Sequence, residues 1–283
     1  MKNCNLHNPC SGVYGKCLDV KITSLCNGRC DFCIEKGGYD PDSENVKVLI
    51  AATNSLEDYK TVLILGGEPF LYPYLAKYVK GLENKKIYIT TNGSINPEIL
   101  NKDFYKKLSG LNISLHYYTE KINAAITGVN LNYNLLSLYI NKLLENGVPV
   151  RINCNLLNTG INTFSKALKM AHLAKKLGAT SIRFSELQNC PTLFQSAYDI
   201  FDIKVKDPFS EGCEIKIEGF PLPVIVRLTC GRVNPVRPKP KGIRKRLSLT
   251  KVMYPDGKIY DGWIAKSKVN EDYFSSSCHG EGQ

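Results

Sequence analysis

No stretch of this chain approaches the roughly 18–20 consecutive apolar residues that cross a bilayer. Residues 1–16 are polar and lack the apolar run of a secretory leader. These absences exclude membrane and export classes, so the expectation is a soluble, cytoplasmic protein without a membrane partner. An even cysteine count is also lacking. Eleven cysteines without an export signal argue against a disulfide framework and for thiolates in a reducing compartment. Acidic residues are missing between Arg227 and Lys251, where nine basic residues stand in a chain of net charge +11. Such a block attracts phosphates, nucleic acid or an acidic substrate, or it is a solvated face. No aromatic residue is interleaved with these cations, which weakens the nucleic-acid reading, since single strands bind through base stacking.

What is present is concentrated near the start. Cys26, Cys30 and Cys33 lie in the run CNGRCDFC, with three residues and then two between them. Cysteine thiolates are the usual protein ligands of iron–sulfur clusters. Three cysteines leave one corner of a four-iron cube without a protein ligand, and an open iron can take a substrate or cofactor. The competing reading is zinc, which needs a fourth ligand; Cys4, Cys10 or Cys17 would have to supply it.

Short apolar runs alternate with longer amphipathic ones. Residues 17–23, 61–65, 86–90, 111–115, 148–156 and 181–184 read as strands, and residues 45–59, 74–82, 97–108, 132–146 and 164–177 as helices. Gly147 and Gly178 stop the last two helices. This alternation predicts βαβ units, a parallel sheet and right-handed crossovers. The expected fold class is therefore α/β: a partial (β/α)6 barrel of parallel strands with a small irregular and β C-terminal extension. The expected division is an N-terminal extension at 1–16, a core at 17–188 and a C-terminal extension at 189–283. Seven prolines fall between residues 189 and 240, a strand is expected at 224–229, and a hairpin is expected around Pro255-Asp256-Gly257.

Every polar or glycine-rich motif falls at the end of an expected strand. Gly66-Gly67-Glu68-Pro69 follows the second, Thr90-Thr91-Asn92-Gly93 the third, and Ser114 and His116 the fourth. Glycines let a backbone pass close to a ligand, and the Glu68 carboxylate can accept hydrogen bonds from an amine. His116 reads as a packed histidine more readily than as a proton shuttle. In this order and on these strands the motifs resemble the radical S-adenosylmethionine (SAM) superfamily, over about residues 17–188. The resemblance includes Phe32, the aromatic before the last cysteine. The runs 150–155 and 182–187 are similar to the fifth and sixth strands of its GTP 3′,8-cyclase branch.

That resemblance implies a [4Fe-4S] cluster on Cys26, Cys30 and Cys33, with SAM held by Phe32, Gly66, Gly67, Glu68, Pro69, Thr91, Asn92, Ser114 and Asn153. Arg183 would face SAM or substrate, or else pair with an internal carboxylate. It implies one-electron cleavage of SAM to a 5′-deoxyadenosyl radical that takes a hydrogen atom from substrate, and an electron donor such as flavodoxin or ferredoxin. With the basic stretch, the substrate expected is an anionic small molecule. Modification of RNA or of a peptide, and a non-enzymatic metal-binding module, are the competing readings. The C-terminal part departs from the cyclases: Cys190, Cys213, Cys230 and Cys278 are scattered, Trp263 and no cysteine follows the hairpin, and the run HGEGQ stands where the cyclases carry a glycine-arginine tail. A second cluster on the scattered cysteines is the less favoured reading, because cluster ligands come in tighter spacings.

Overall fold

The structure is a computed structural model that describes residues 17–33, 46–188, 190–206, 208, 213–229 and 251–261. The expected extension at 1–16, most of the basic stretch (230–250), Cys4, Cys10, Cys230, Cys278 and Trp263 lie outside the described residues.

The six expected strands are present. They are β1 (Cys17–Lys21), β2 (Thr61–Leu65), β3 (Lys86–Thr91), β4 (Leu108–Ser114), β5 (Val150–Asn155) and β6 (Ser181–Ser185). Between them run α1 (Val46–Ser55), α2 (Leu75–Gly81), α3 (Lys102–Lys107), α4 (Glu120–Thr127), α5 (Tyr133–Glu145) and α6 (Phe164–Leu177). Beyond β6 come β7 (Glu214–Ile217), β8 (Val224–Arg227), β9 (Lys251–Met253) and β10 (Ile259–Asp261). The sheet order is β10-β9-β1-β2-β3-β4-β5-β6-β8-β7. The strands from β9 through β1–β6 to β8 pair in parallel, and each edge ends in one antiparallel strand. The sheet is open, as a partial barrel requires. The region after β6 supplies strands to both edges: β8 beside β6 and β9 beside β1. No described helix is long and apolar enough to cross a membrane.

The two faces of the sheet differ in chemistry. Side chains alternate between faces along a strand. Leu18, Val20, Val62, Ile64, Ile87, Ile89, Leu111, Ile113, Val150, Ile152, Ile182, Phe184, Val224 and Val226 form one face, buried in a continuous core with the helices. Each such side chain contributes about 1.5–3 kcal/mol when fully buried. The intervening positions form the concave face, and most are polar: Asp19, Lys21, Thr90, Asn112, Ser114, Arg151, Asn153, Asn155, Arg183, Ser185 and Arg227. An apolar helix-side face fixes register, because a one-residue slip would drive these polar groups into the core. Tyr88 closes the lower part of this face over Gly110, where any Cβ would sit 2.9 Å from its ring.

Local expectations differ from the structure in places. The helix expected over 97–108 is two pieces, a short turn at Pro97–Ile99 and α3. Asn101 stands extended between them, and its carboxamide caps α3 by accepting from the Asp103 and Phe104 amides. Two elements lie outside the expected set, the two-turn α4 and strand β7. The hairpin around residue 256 forms as β9–β10.

Candidate functional site

The loops after β1, β2 and β3 meet at the C-terminal end of the sheet. The backbone leaving β1 lies against the turn after β2: Gly67 N–H donates to the Thr23 carbonyl (2.8 Å) and Glu68 N–H to the Leu25 carbonyl (2.6 Å). Gly66 has φ +141°, and a Cβ on either glycine would collide with the Thr23–Leu25 backbone. Close approach to this chain's own backbone accounts for the glycine pair, where approach to a ligand was the expectation. The backbone approached is the one that delivers Cys26.

Glu68 is fully buried. One carboxylate oxygen accepts from the Phe70 amide (3.0 Å) and the Thr91 hydroxyl (2.7 Å), and the other from the Asn92 amide (2.6 Å). It therefore clamps the β2 loop to the β3 loop, and Pro69 begins the short turn that it caps. Burial pushes its pKa up to about 7, against the pull of these three donors.

Asn92 continues the linkage. Its Oδ1 accepts from the Ser94 amide (3.0 Å), and its Nδ2 donates to Asn27 Oδ1 (2.8 Å) and toward Cys26 Sγ (3.9 Å). Asn27 Nδ2 in turn donates to Ser94 Oγ (2.8 Å). Cys26 Sγ also accepts from the Gly28 amide at 3.3 Å.

The other side of the cysteine loop rests on the C-terminus of α4. Arg29 N–H donates to the Thr127 carbonyl (2.8 Å), and the Cys30 thiol points at the same oxygen (3.7 Å). Gly128 caps α4 in a left-handed conformation, and a Cβ there would collide with Arg29. Phe32 packs into a small apolar cluster with Leu157, Leu187 and Cys190. It also meets His116 edge-on, with ring centroids 4.9 Å apart. His116 is buried, its Nδ1 accepts from the Asn155 amide (3.1 Å), and burial holds its pKa down at about 4. Its geometry is that of a neutral packed residue with its proton on Nε2.

Beneath these loops, Ser114, Asn153 and Arg183 form one row across β4, β5 and β6. Arg151 Nε donates to Asn153 Oδ1 (3.0 Å), and Arg183 Nη1 lies 3.9 Å from Glu214 on the edge strand. The residues expected to contact SAM thus lie at one end of one sheet. Asn27, Ser94, Arg151 and the Thr127 carbonyl join them. Their parts depend on which strands are neighbours, although Asn27 beside Cys26 and Ser94 after Asn92-Gly93 stood next to the motifs in the sequence.

The cysteine loop fits a four-iron cluster by the chemistry of its donors. Cys26 and Cys33 are exposed and Cys30 is half-buried. Burial pushes the Cys30 thiol up to about 12, with further rise from Cys33 and Cys26 nearby. Three adjacent thiolates repel one another unless a cationic centre lies among them. Among the described residues no three Cys, His, Asp or Glu side chains converge on a single ion. Cys4 and Cys10, named for the fourth ligand of a zinc site, lie outside the described residues. A four-iron cube takes one thiolate on each of its ligated irons. Cys190 and Cys213 are buried in separate apolar clusters.

Residues 20–181 match the radical SAM superfamily. Over 180 residues the chain is 29% identical to proteins named probable GTP 3′,8-cyclase from Saccharolobus islandicus and Saccharolobus solfataricus, covering 60% of this chain and 56% of theirs. It is 34% identical over 128 residues to one from Sulfolobus acidocaldarius, covering 42% of this chain and 41% of that one. The match thus spans about half the length of these curated relatives. Among solved structures, Streptococcus suis SuiB bound to S-adenosylmethionine superposes with a TM-score of 0.63 at 17% identity, covering 93% of this chain and 64% of that one. SuiB bound to the precursor peptide SuiA gives 0.61 at 16%, covering 91% and 61%. A match over more than half of the chain, on the strands and loops described above, makes this protein a member of the radical SAM superfamily.

Proposed function

We propose that this protein is a radical SAM enzyme that holds a [4Fe-4S] cluster on Cys26, Cys30 and Cys33 and abstracts hydrogen from an anionic small molecule. The observation that carries the reading is the convergence of three motif loops, residues 26–33, 66–69 and 91–93: the buried Glu68 carboxylate joins the second to the third, and the Asn92 side chain joins the third to the first through Asn27. When bound there, the cluster and SAM would together supply a 5′-deoxyadenosyl radical by one-electron cleavage, with the electron from a donor such as flavodoxin or ferredoxin. The protein's own part is to bind, orient and shield. The loop 66–69 and the row Ser114–Asn153–Arg183 would hold SAM, and Phe32 would wall the site on the β5–β6 side. The concave face carries Lys21, Arg151, Arg183 and Arg227 against Asp19 and the neighbouring Glu214, an excess of positive charge that suits an anion. The basic stretch after Arg227 would add to it. Residues 17–188 would form the catalytic core, and residues 189–283 would complete its edges.

The test is anaerobic reconstitution with iron and sulfide. The protein should bind about four irons and form 5′-deoxyadenosine from SAM and a strong reductant. Cys30→Ala should lose both. Full activity in that variant would sink the cluster assignment.

A further inference from the structure

We propose that Asn92 is a positioning residue for Cys26 that also sets the reduction potential of the cluster. The inference rests on the cluster reading above and adds to it. All three polar functions of the Asn92 carboxamide are directed. Its Oδ1 takes the Ser94 amide, which fixes the orientation of the group, so both N–H bonds face the cysteine loop. One meets Asn27 Oδ1 at 2.8 Å and the other points at Cys26 Sγ at 3.9 Å. Asn27 returns a bond to Ser94 at 2.8 Å, which closes a ring of side chains around the loop. The Asn92 backbone is anchored independently by buried Glu68 at 2.6 Å.

Cys26 and Cys30 are consequently unequal. Cys26 Sγ faces two N–H donors, from Gly28 and Asn92. Cys30 Sγ faces a carbonyl, that of Thr127. Reduction adds negative charge that spreads onto the sulfur ligands, so an N–H donor there stabilises the reduced cluster more than the oxidised one. Asn92 thereby raises the potential and eases delivery of the electron.

The experiment uses the full chain, reconstituted anaerobically as wild type, Asn92→Ser and Asn27→Ala. Iron content and the midpoint potential, followed by EPR in the absence of SAM, are the readouts. Serine can still accept from Ser94 N–H but is too short to reach Cys26. Expected are wild-type iron content in all three, a more negative midpoint for Asn92→Ser, and a midpoint near wild type for Asn27→Ala. An unchanged midpoint in Asn92→Ser overturns the inference, as does an equal shift in Asn27→Ala, which would assign the effect to loop geometry. Should Asn92→Ser fail to hold iron, pulsed EPR of the reduced wild-type cluster decides, with nitrogen label confined to asparagine side-chain amides. Hyperfine coupling to the label supports the inference and its absence overturns it. A wild-type protein that binds no cluster overturns the functional reading as well, whereas a loaded wild type with no shift in Asn92→Ser overturns this inference alone.

Discussion

Glu68 shows how far the fold itself can draw on a residue singled out for a ligand. Its setting between two glycines and a proline marked it for a ligand's amine, and its carboxylate is bonded to two backbone amides and a hydroxyl. Glu68→Ala would leave those buried donors unpaired, at about 1–3 kcal/mol each. We expect a lower urea midpoint together with weaker SAM binding by equilibrium dialysis, because both loops lose their clamp. The raised pKa also predicts a pH dependence. A carboxyl whose folded pKa lies above its unfolded one, about 4.3, lends its full stability below that value and loses it as pH climbs through about 7. Stability of the apo-protein should therefore fall between about pH 4.3 and about 7, and Glu68→Gln should lack that slope in urea titrations. His116 runs the other way. Its folded pKa lies near 4, below the unfolded value, so it favours folding above about 6.5 and loses that contribution as pH falls toward 4. Its ring resonances should show no protonation from neutral pH down to about 5. Cysteine, glycine and glutamate could be read in the sequence because their spacing is local. The roles of Asn27, Ser94 and Arg151 could not, since each partner is chosen by the packing of loops that are distant in sequence.

Elements were legible where their boundaries are chemical. Strand β2 is an apolar run stopped by two glycines, and α6 runs from the Thr163 cap to Gly178, whose φ of +95° ends it. Helix α4 has only two turns and small alanines at its centre, too little apolar surface to register as a period. Strand β7 is four residues long with one exposed and three half-buried positions, and its pairing with β8 defines it. The element that matters most for the site is the glycine turn after β2. Gly67→Ala would push a Cβ into the Leu25 backbone, whose carbonyl is already bonded to Glu68 N–H. The expected outcome is loss of iron binding with little change in far-UV circular dichroism, because the clash displaces the cysteine loop and leaves the helix-side core intact. Wild-type iron content in that variant would show that the turn tolerates a side chain.

At the scale of the whole molecule, one sheet has an apolar face that builds the fold and a mostly polar face that carries the candidate site. If the cations of the concave face bind substrate, Arg227→Met should raise KM by about tenfold or more, the worth of a hydrogen bond to a charged group, and spare uncoupled SAM cleavage. Neutralising Arg244, Lys245 and Arg246 together should do the same if the basic stretch contributes. Normal turnover in both variants would show that the positive charge is unrelated to substrate. The parallel six-strand core could be read from the alternation of runs, whereas the destination of the later strands could not: β8 and β9 join opposite edges, a choice made by edge complementarity and not by any local pattern. That arrangement has a consequence for the order of biosynthesis. Strand β1, which leads into the cysteine loop, has β2 on one side and β9 on the other. A chain is made from its N-terminus and its domains fold as they emerge. The strand that pairs with the second side of β1 is therefore made about 230 residues after it, at 251–253. If Cys26, Cys30 and Cys33 hold the proposed cluster, the residues from Gly67 to Thr127 that the cysteine loop is bonded to in the fold are made before that last neighbour of β1.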